Sequence, residues 1–158
     1  CIDIILIKGI SIAGIQFEVW IVAGVDLFVS IHRNSFPVDN EVEGVESLVY
    51  DLSGLKYEMA QNINEQLEGV GFVNLGVKAR PNLVVLKRTK MPAVLVEVGF
   101  INSDTDNQLF DDNFQDIAQA IADGILDTLE SNGLIQEGKV PGAGGTVPQS
   151  ALCEPAAE

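Results

Sequence analysis

Histidine is almost absent from this chain of 158 residues: His32 alone must serve any chemistry that needs an imidazole. Cysteine is nearly as scarce. Cys1 and Cys153 stand near the two ends and outside any CxxC spacing, which excludes a disulfide framework or a cysteine zinc site and leaves the redox compartment open. Basic residues number nine against 23 acidic ones, giving a formal net charge of -14 and a pI near 4.2. A broad basic surface for nucleic acid or anionic membrane is thereby excluded, because neutralising phosphates takes clustered Lys and Arg. Long uncharged apolar runs are missing as well: Asp3, Lys8, Glu18 and Asp26 interrupt the apolar first 29 residues, so no transmembrane helix is expected. No basic segment with a cleavage site marks an export signal, and no internal repeat is visible.

What is present suits one globular domain, with 47% hydrophobic and 20% charged residues. Its most informative stretch is 25–35, VDLFVSIHRNS, where β-branched and aromatic residues predict a buried strand that ends on His32. Parallel strands are buried on both faces, and in an open α/β sheet the ligand crevice lies beyond their carboxyl ends. His32 is therefore either a metal ligand at that edge or a hydrogen-bonded structural residue.

A first short strand is expected over 2–7, and 10–23 is too densely apolar to show either period. Residues 34–43, NSFPVDNEVE, read as a loop beside the proposed site. Residues 44–51 (GVESLVYD) alternate as a strand, with Val45, Ser47 and Val49 on one face and Glu46, Leu48 and Tyr50 on the other. From Ser53 the recurrence of Leu55, Met59, Ile63 and Leu67 predicts a helix that Gly69 and Gly71 end. We read 72–81 as a connector, 82–87 (NLVVLK) as a strand and 88–92 as a turn. The basic residues concentrate here: Lys78, Arg80, Lys87, Arg88 and Lys90 either meet an anionic substrate or form a solvated face.

A second buried strand follows at 93–100, AVLVEVGF, broken only by Glu97 near its carboxyl end. Burial should raise the pKa of this carboxyl unless a cation from the basic cluster compensates. The polar loop 101–106 carries helix-start signals, with Asp112 a second N-cap candidate. A last helix shows Phe114, Ile117, Ala118, Ile121, Ile125 and Leu129 on one stripe, with Asp116, Gln119, Asp123 and Asp127 facing water. The Gly-, Pro- and Ala-rich tail 133–158 reads as a disordered end.

The segments VDLFVSIHRNS, GVESLVYD, NLVVLKRTKMPAVLVEVGFINS and the closing acidic helix resemble the catalytic domain of the zinc-dependent N-acetylmuramoyl-L-alanine amidases, bacterial peptidoglycan hydrolases, over about residues 24–130. That resemblance implies an α/β fold: a single domain with a mostly parallel twisted sheet flanked by helices and one zinc (Zn) ion at its carboxyl edge. It implies that His32, in SIHRN, corresponds to the second metal histidine and Glu97, in VEVGF, to the catalytic glutamate. The metal would lower the pKa of a bound water to about 7 and polarise the carbonyl, with the glutamate moving the proton. Peptidoglycan, at the amide between N-acetylmuramic acid and L-alanine, is the implied partner, and an extracellular or envelope location follows from that substrate. Asn34 and Arg88 are weaker substrate-contact candidates. The family's glycine-rich turn bearing the first metal histidine is not found in 1–23, and Glu18 does not match the position of the metal glutamate. We therefore expect a divergent or substituted segment over 1–23, an amidase-like domain over 24–132, and poor zinc binding by the chain as given. A non-catalytic cell-wall binding module on a degenerate amidase fold is the alternative, and a fragment that folds poorly is a third.

Overall fold

The computed structural model describes residues 3–7, 12–13 and 26–134. In chain order its elements are β1 (Asp3–Ile7), β2 (Ile12–Ala13), β3 (Leu27–Asn34), β4 (Val45–Val49), α1 (Gly54–Val70), β5 (Asn74–Ala79), α2 (Val84–Lys87), β6 (Ala93–Phe100), α3 (Asp104–Asp112) and α4 (Phe114–Ser131). The strands form one open sheet in the order β2-β1-β3-β6-β4-β5, flanked by helices, so the α/β class expected from the buried runs holds. The parallel joints are β3–β6 and β4–β5, while β4 meets β6, and β1 meets β3 and β2, in antiparallel fashion. The two apolar strands singled out by sequence thus lie side by side, pointing the same way.

Each central strand has two dry faces. On one, Val29, Val45, Val49, Val94, Val96 and Val98 pack against Met59, Ile63 and Leu67 of α1 and Ile117, Ile121, Ile125 and Leu129 of α4. Fully burying side chains such as Ile63 and Leu67 contributes about 1.5–3 kcal/mol each, which is why the four-residue stripe docks the helix. On the other face Phe28, Leu48, Ala93 and Leu95 are covered by Leu86 with Leu83, Val85 and Met91 at its side.

That second layer corrects the reading of 72–87. Residues 82–87 are not a strand: the segment turns into α2 and lays its aliphatic side chains across the sheet instead of joining it. The strand lies earlier, in the supposed connector, where β5 pairs with β4 despite Gly76 at φ 81 and a register shift. Tertiary pairing overrides the weak strand propensity of NLGVKA. The loop read over 101–106 is cut short by α3, whose N-cap Ser103 accepts from the Asp106 N–H at 3.2 Å. Asn113, not Asp112, precedes α4, and in the stripe of α4 Phe114 and Ala118 are exposed. The strand expected over 2–7 is β1, and β2 falls within the undecided 10–23. The rest of the segment 1–23, and the tail from 135, lie outside the described residues.

Asp106 and Arg33 fasten the carboxyl edge. Asp106, 1% exposed, accepts from the Phe100 N–H at 2.7 Å and the Gly44 N–H at 2.9 Å, tying the end of β6 to the start of β4. Arg33 donates to Phe100 O and Asn107 Oδ1 and lies 4.4 Å over the Phe110 ring, which seats α3 on the same edge.

The helices α1 and α4 approach closely at Gly124, where an added Cβ would sit 2.6 Å from the Ile63 Cα. Alanine is the better helix former by about 1 kcal/mol, yet forcing two backbones apart costs about 1–3 kcal/mol. Gly124→Ala is expected to lower the denaturation midpoint; a variant as stable as the parent would show that the contact yields freely.

Candidate active site

The β3–β6 register places His32 opposite Glu97, and the β4–β6 register places Glu46 opposite the same Glu97. Partners in register share a face and stand about 5 Å apart, so an imidazole and two carboxyl groups form one row across the sheet. The row runs along the face that Phe28, Leu48 and Leu95 make apolar, past the region that α2 covers. The carboxyl ends of β3 and β6 carry it, where the sequence placed the crevice.

His32 is half-buried, and burial lowers its pKa, so the ring is neutral at neutral pH. Ser30 Oγ lies 2.7 Å from His32 Nε2, a hydrogen bond that orients the ring from two residues back on the same strand face. Glu97 is half-buried too, and its Oε2 has no hydrogen-bond partner. Desolvation by burial, reinforced by the charge of Glu46, pushes its pKa up to about 7.

Like charges directly opposite one another on a sheet repel. The conflict is relieved at Glu46, 7% exposed, which forms an ion pair with Lys78 and accepts from Asn34 Nδ2 at 3.0 Å. The cation from the basic cluster therefore serves Glu46 and not Glu97. Glu46 was missed by the sequence reading, although its period-2 partnership with buried Leu48 was the signal that could have found it. Asn34 borders the row through this bond, whereas Arg88 stands exposed at the end of α2, before the amino end of β6, and is not brought to the row.

A catalytic zinc site takes about three protein ligands plus a water. Among the described residues no group of three His, Cys, Asp and Glu side chains is placed to hold a metal ion. The residues in the row thus do not fit a complete zinc site. What the row can do by itself is move protons: a carboxyl group that titrates near neutrality accepts and returns one without a large energetic penalty.

A carboxyl group held near neutrality thus stands opposite a neutral imidazole at the edge of an open α/β sheet. The family model described as N-acetylmuramoyl-L-alanine amidase matches residues 16–127, and the chain belongs to that family. The probable cell wall amidase LytH of Staphylococcus epidermidis is 32% identical over 102 residues, covering 63% of this chain and 34% of the relative. This chain spans about a third of the length of that relative. Among solved structures, an N-acetylmuramoyl-L-alanine amidase from Clostridium difficile 630 aligns at a TM-score of 0.65 and 28% identity, covering 77% of this chain and 69% of that one. The catalytic domain of CwlV, an amidase from Bacillus (Paenibacillus) polymyxa, aligns at 0.62 and 30%, covering 74% and 67%.

The raised pKa of Glu97 has a consequence for stability. The unfolded chain releases this proton near 4.5 and the folded chain holds it to about 7, so the folded state binds more protons between those values. Stability should therefore fall as pH rises through that window, and Glu97→Gln should flatten that part of the profile. Denaturant unfolding of both proteins across the window checks this, with superimposable slopes counting against it.

Proposed function

We propose that this chain is the catalytic portion of a peptidoglycan amidase that hydrolyses the amide joining the lactyl group of N-acetylmuramic acid to L-alanine of the stem peptide. The observation that carries the reading is the register pairing of His32 with Glu97 at the carboxyl ends of two buried parallel strands, in a member of the amidase family. In this scheme Glu97 takes a proton from the water that attacks the amide carbonyl. As the carbon–nitrogen bond breaks, the carboxyl returns that proton to the departing amine and leaves a carboxylic acid on the lactyl group, which then gives up its own proton to water. A pKa of about 7 suits both transfers at neutral pH. Asn34, bonded to Glu46, keeps the neighbouring carboxylate in place.

His32 is proposed as one ligand of the zinc ion that the family resemblance implies. No other imidazole exists in the sequence to join it. That lone imidazole favours a second reading, a cell-wall binding module that keeps the groove without cutting. Both readings place the protein outside the cell or in the envelope, where peptidoglycan is. Among the described residues no helix is long and apolar enough to cross a membrane.

Metal analysis after dialysis against zinc, paired with dye release from stained cell walls, separates the readings. The chain as given is expected to retain little zinc and release little dye. One tightly held zinc per chain with chelator-sensitive release would overturn the view of an incomplete site, and co-sedimentation with walls without release would favour the binding module. In a version carrying the full ligand set, Glu97→Gln should keep fold and metal while losing about a hundredfold or more in rate. Near-native turnover would remove Glu97 from the mechanism.

A further inference from the structure

We propose that a cavity at the far end of the sheet from His32 and Glu97 binds a small anionic ligand, a saccharide or peptide bearing a carboxylate or phosphate, through Lys87 and Lys90. The cavity holds about 380 Å³, within the range of small-ligand sites, and opens between the end of β4, the start of α1 and the turn that leads from α2 into β6. Lys56, Lys87 and Lys90 line it with Tyr50 and Thr89, and Asp51 is the one carboxylate among its lining residues.

The charges there are unevenly matched. Lys56 is occupied, with Asp51 Oδ1 at 2.9 Å and Ser53 O accepting at 2.8 Å. Lys87 and Lys90 form no ion pair among the described residues, in a chain where acids outnumber bases 23 to nine. A solvated face would scatter its cations among the many available carboxylates; here two lysines without an ion-pair partner among the described residues line one concavity. The four residues of α2 make too short a helix for its dipole to account for Lys87.

Net charge then decides the kind of anion. A total of -14 repels a long polyanion such as nucleic acid, whereas screening over about 8–10 Å lets a local pair of cations act on a small one. The floor supplies the rest of the recognition. Leu86 and Met91 offer an apolar surface, and Tyr50, 42% exposed, offers a ring face and a hydroxyl to a sugar or peptide body. Thr89 Oγ1 donates to Leu86 O at 3.3 Å and keeps its lone pairs for a ligand hydroxyl or amide.

Ala93, which lines the cavity, precedes Glu97 by four strand residues, about 13 Å. The two sites are therefore separate, and the cavity's ligand does not depend on the amidase reading.

The test is an amide-shift titration with three probes that share one sugar: N-acetylmuramic acid, N-acetylglucosamine 1-phosphate and neutral N-acetylglucosamine. Saturable shifts confined to Tyr50 and residues 86–91 are expected with the two anions and not with the neutral sugar, and the tighter anion identifies carboxylate or phosphate as the recognised group. Lys87→Gln combined with Lys90→Gln should weaken the anions about tenfold or more and leave the melting temperature unchanged, while added salt weakens them in the parent. Equal binding of the neutral sugar, shifts spread to Lys78, Arg80 and Arg88, no saturable shift with either anion, or unaltered affinity in the double variant would each overturn the proposal.

Discussion

The parallel pairing of β3 with β6 is the constraint on which the site depends. Side-chain direction alternates along a strand, so a slip of one residue would turn Glu97 toward the α1–α4 core and bring Val96 or Val98 onto the face of His32. Valines at 29, 94, 96 and 98, all fully buried, make that slip costly. The packing of the hydrophobic face thus fixes which polar groups meet on the other. Asp106 and Arg33 hold the carboxyl end of the same pairing, just past the site, by closing on Phe100.

A consequence is that two carboxyl groups face each other across β4 and β6, an arrangement sheets ordinarily avoid. The two ends of the conflict are handled differently. Glu46 has Lys78 and Asn34 as partners; Glu97 has neither, and burial with the neighbouring charge raises its proton affinity. Groups of one type with environments that differ in this way are how one fold assigns separate roles to similar side chains.

Much of the fold was legible in the sequence, and the reasons differ by element. β6 was legible with its observed bounds because eight residues of apolar run leave no other choice, and the same run exposed Glu97 as its one carboxylate. α1 was legible through the spacing of Leu55, Met59, Ile63 and Leu67. The exchange of strand and connector over 72–87 was not, because Val84, Val85 and Leu86 look the same whether they enter a sheet or cover one. Only the apolar face of Phe28, Leu48 and Leu95 explains the choice. Glu46 escaped notice for a related reason: its importance comes from a cross-strand partner 51 positions away, which register alone reveals. The role of Lys78 was hidden in the same way, since its cluster gave no sign of which carboxylate it would reach.

The proposed chemistry rests on Glu97 as a carboxyl group held near neutrality by burial and by Glu46. Carbon-13 detection of the side-chain carboxyl groups while pH is varied measures this directly, because each glutamate reports its own midpoint. The expected midpoint for Glu97 is about 7, moving downward when Glu46→Gln removes the facing charge. A midpoint in the ordinary glutamate range, unmoved by that substitution, would contradict it.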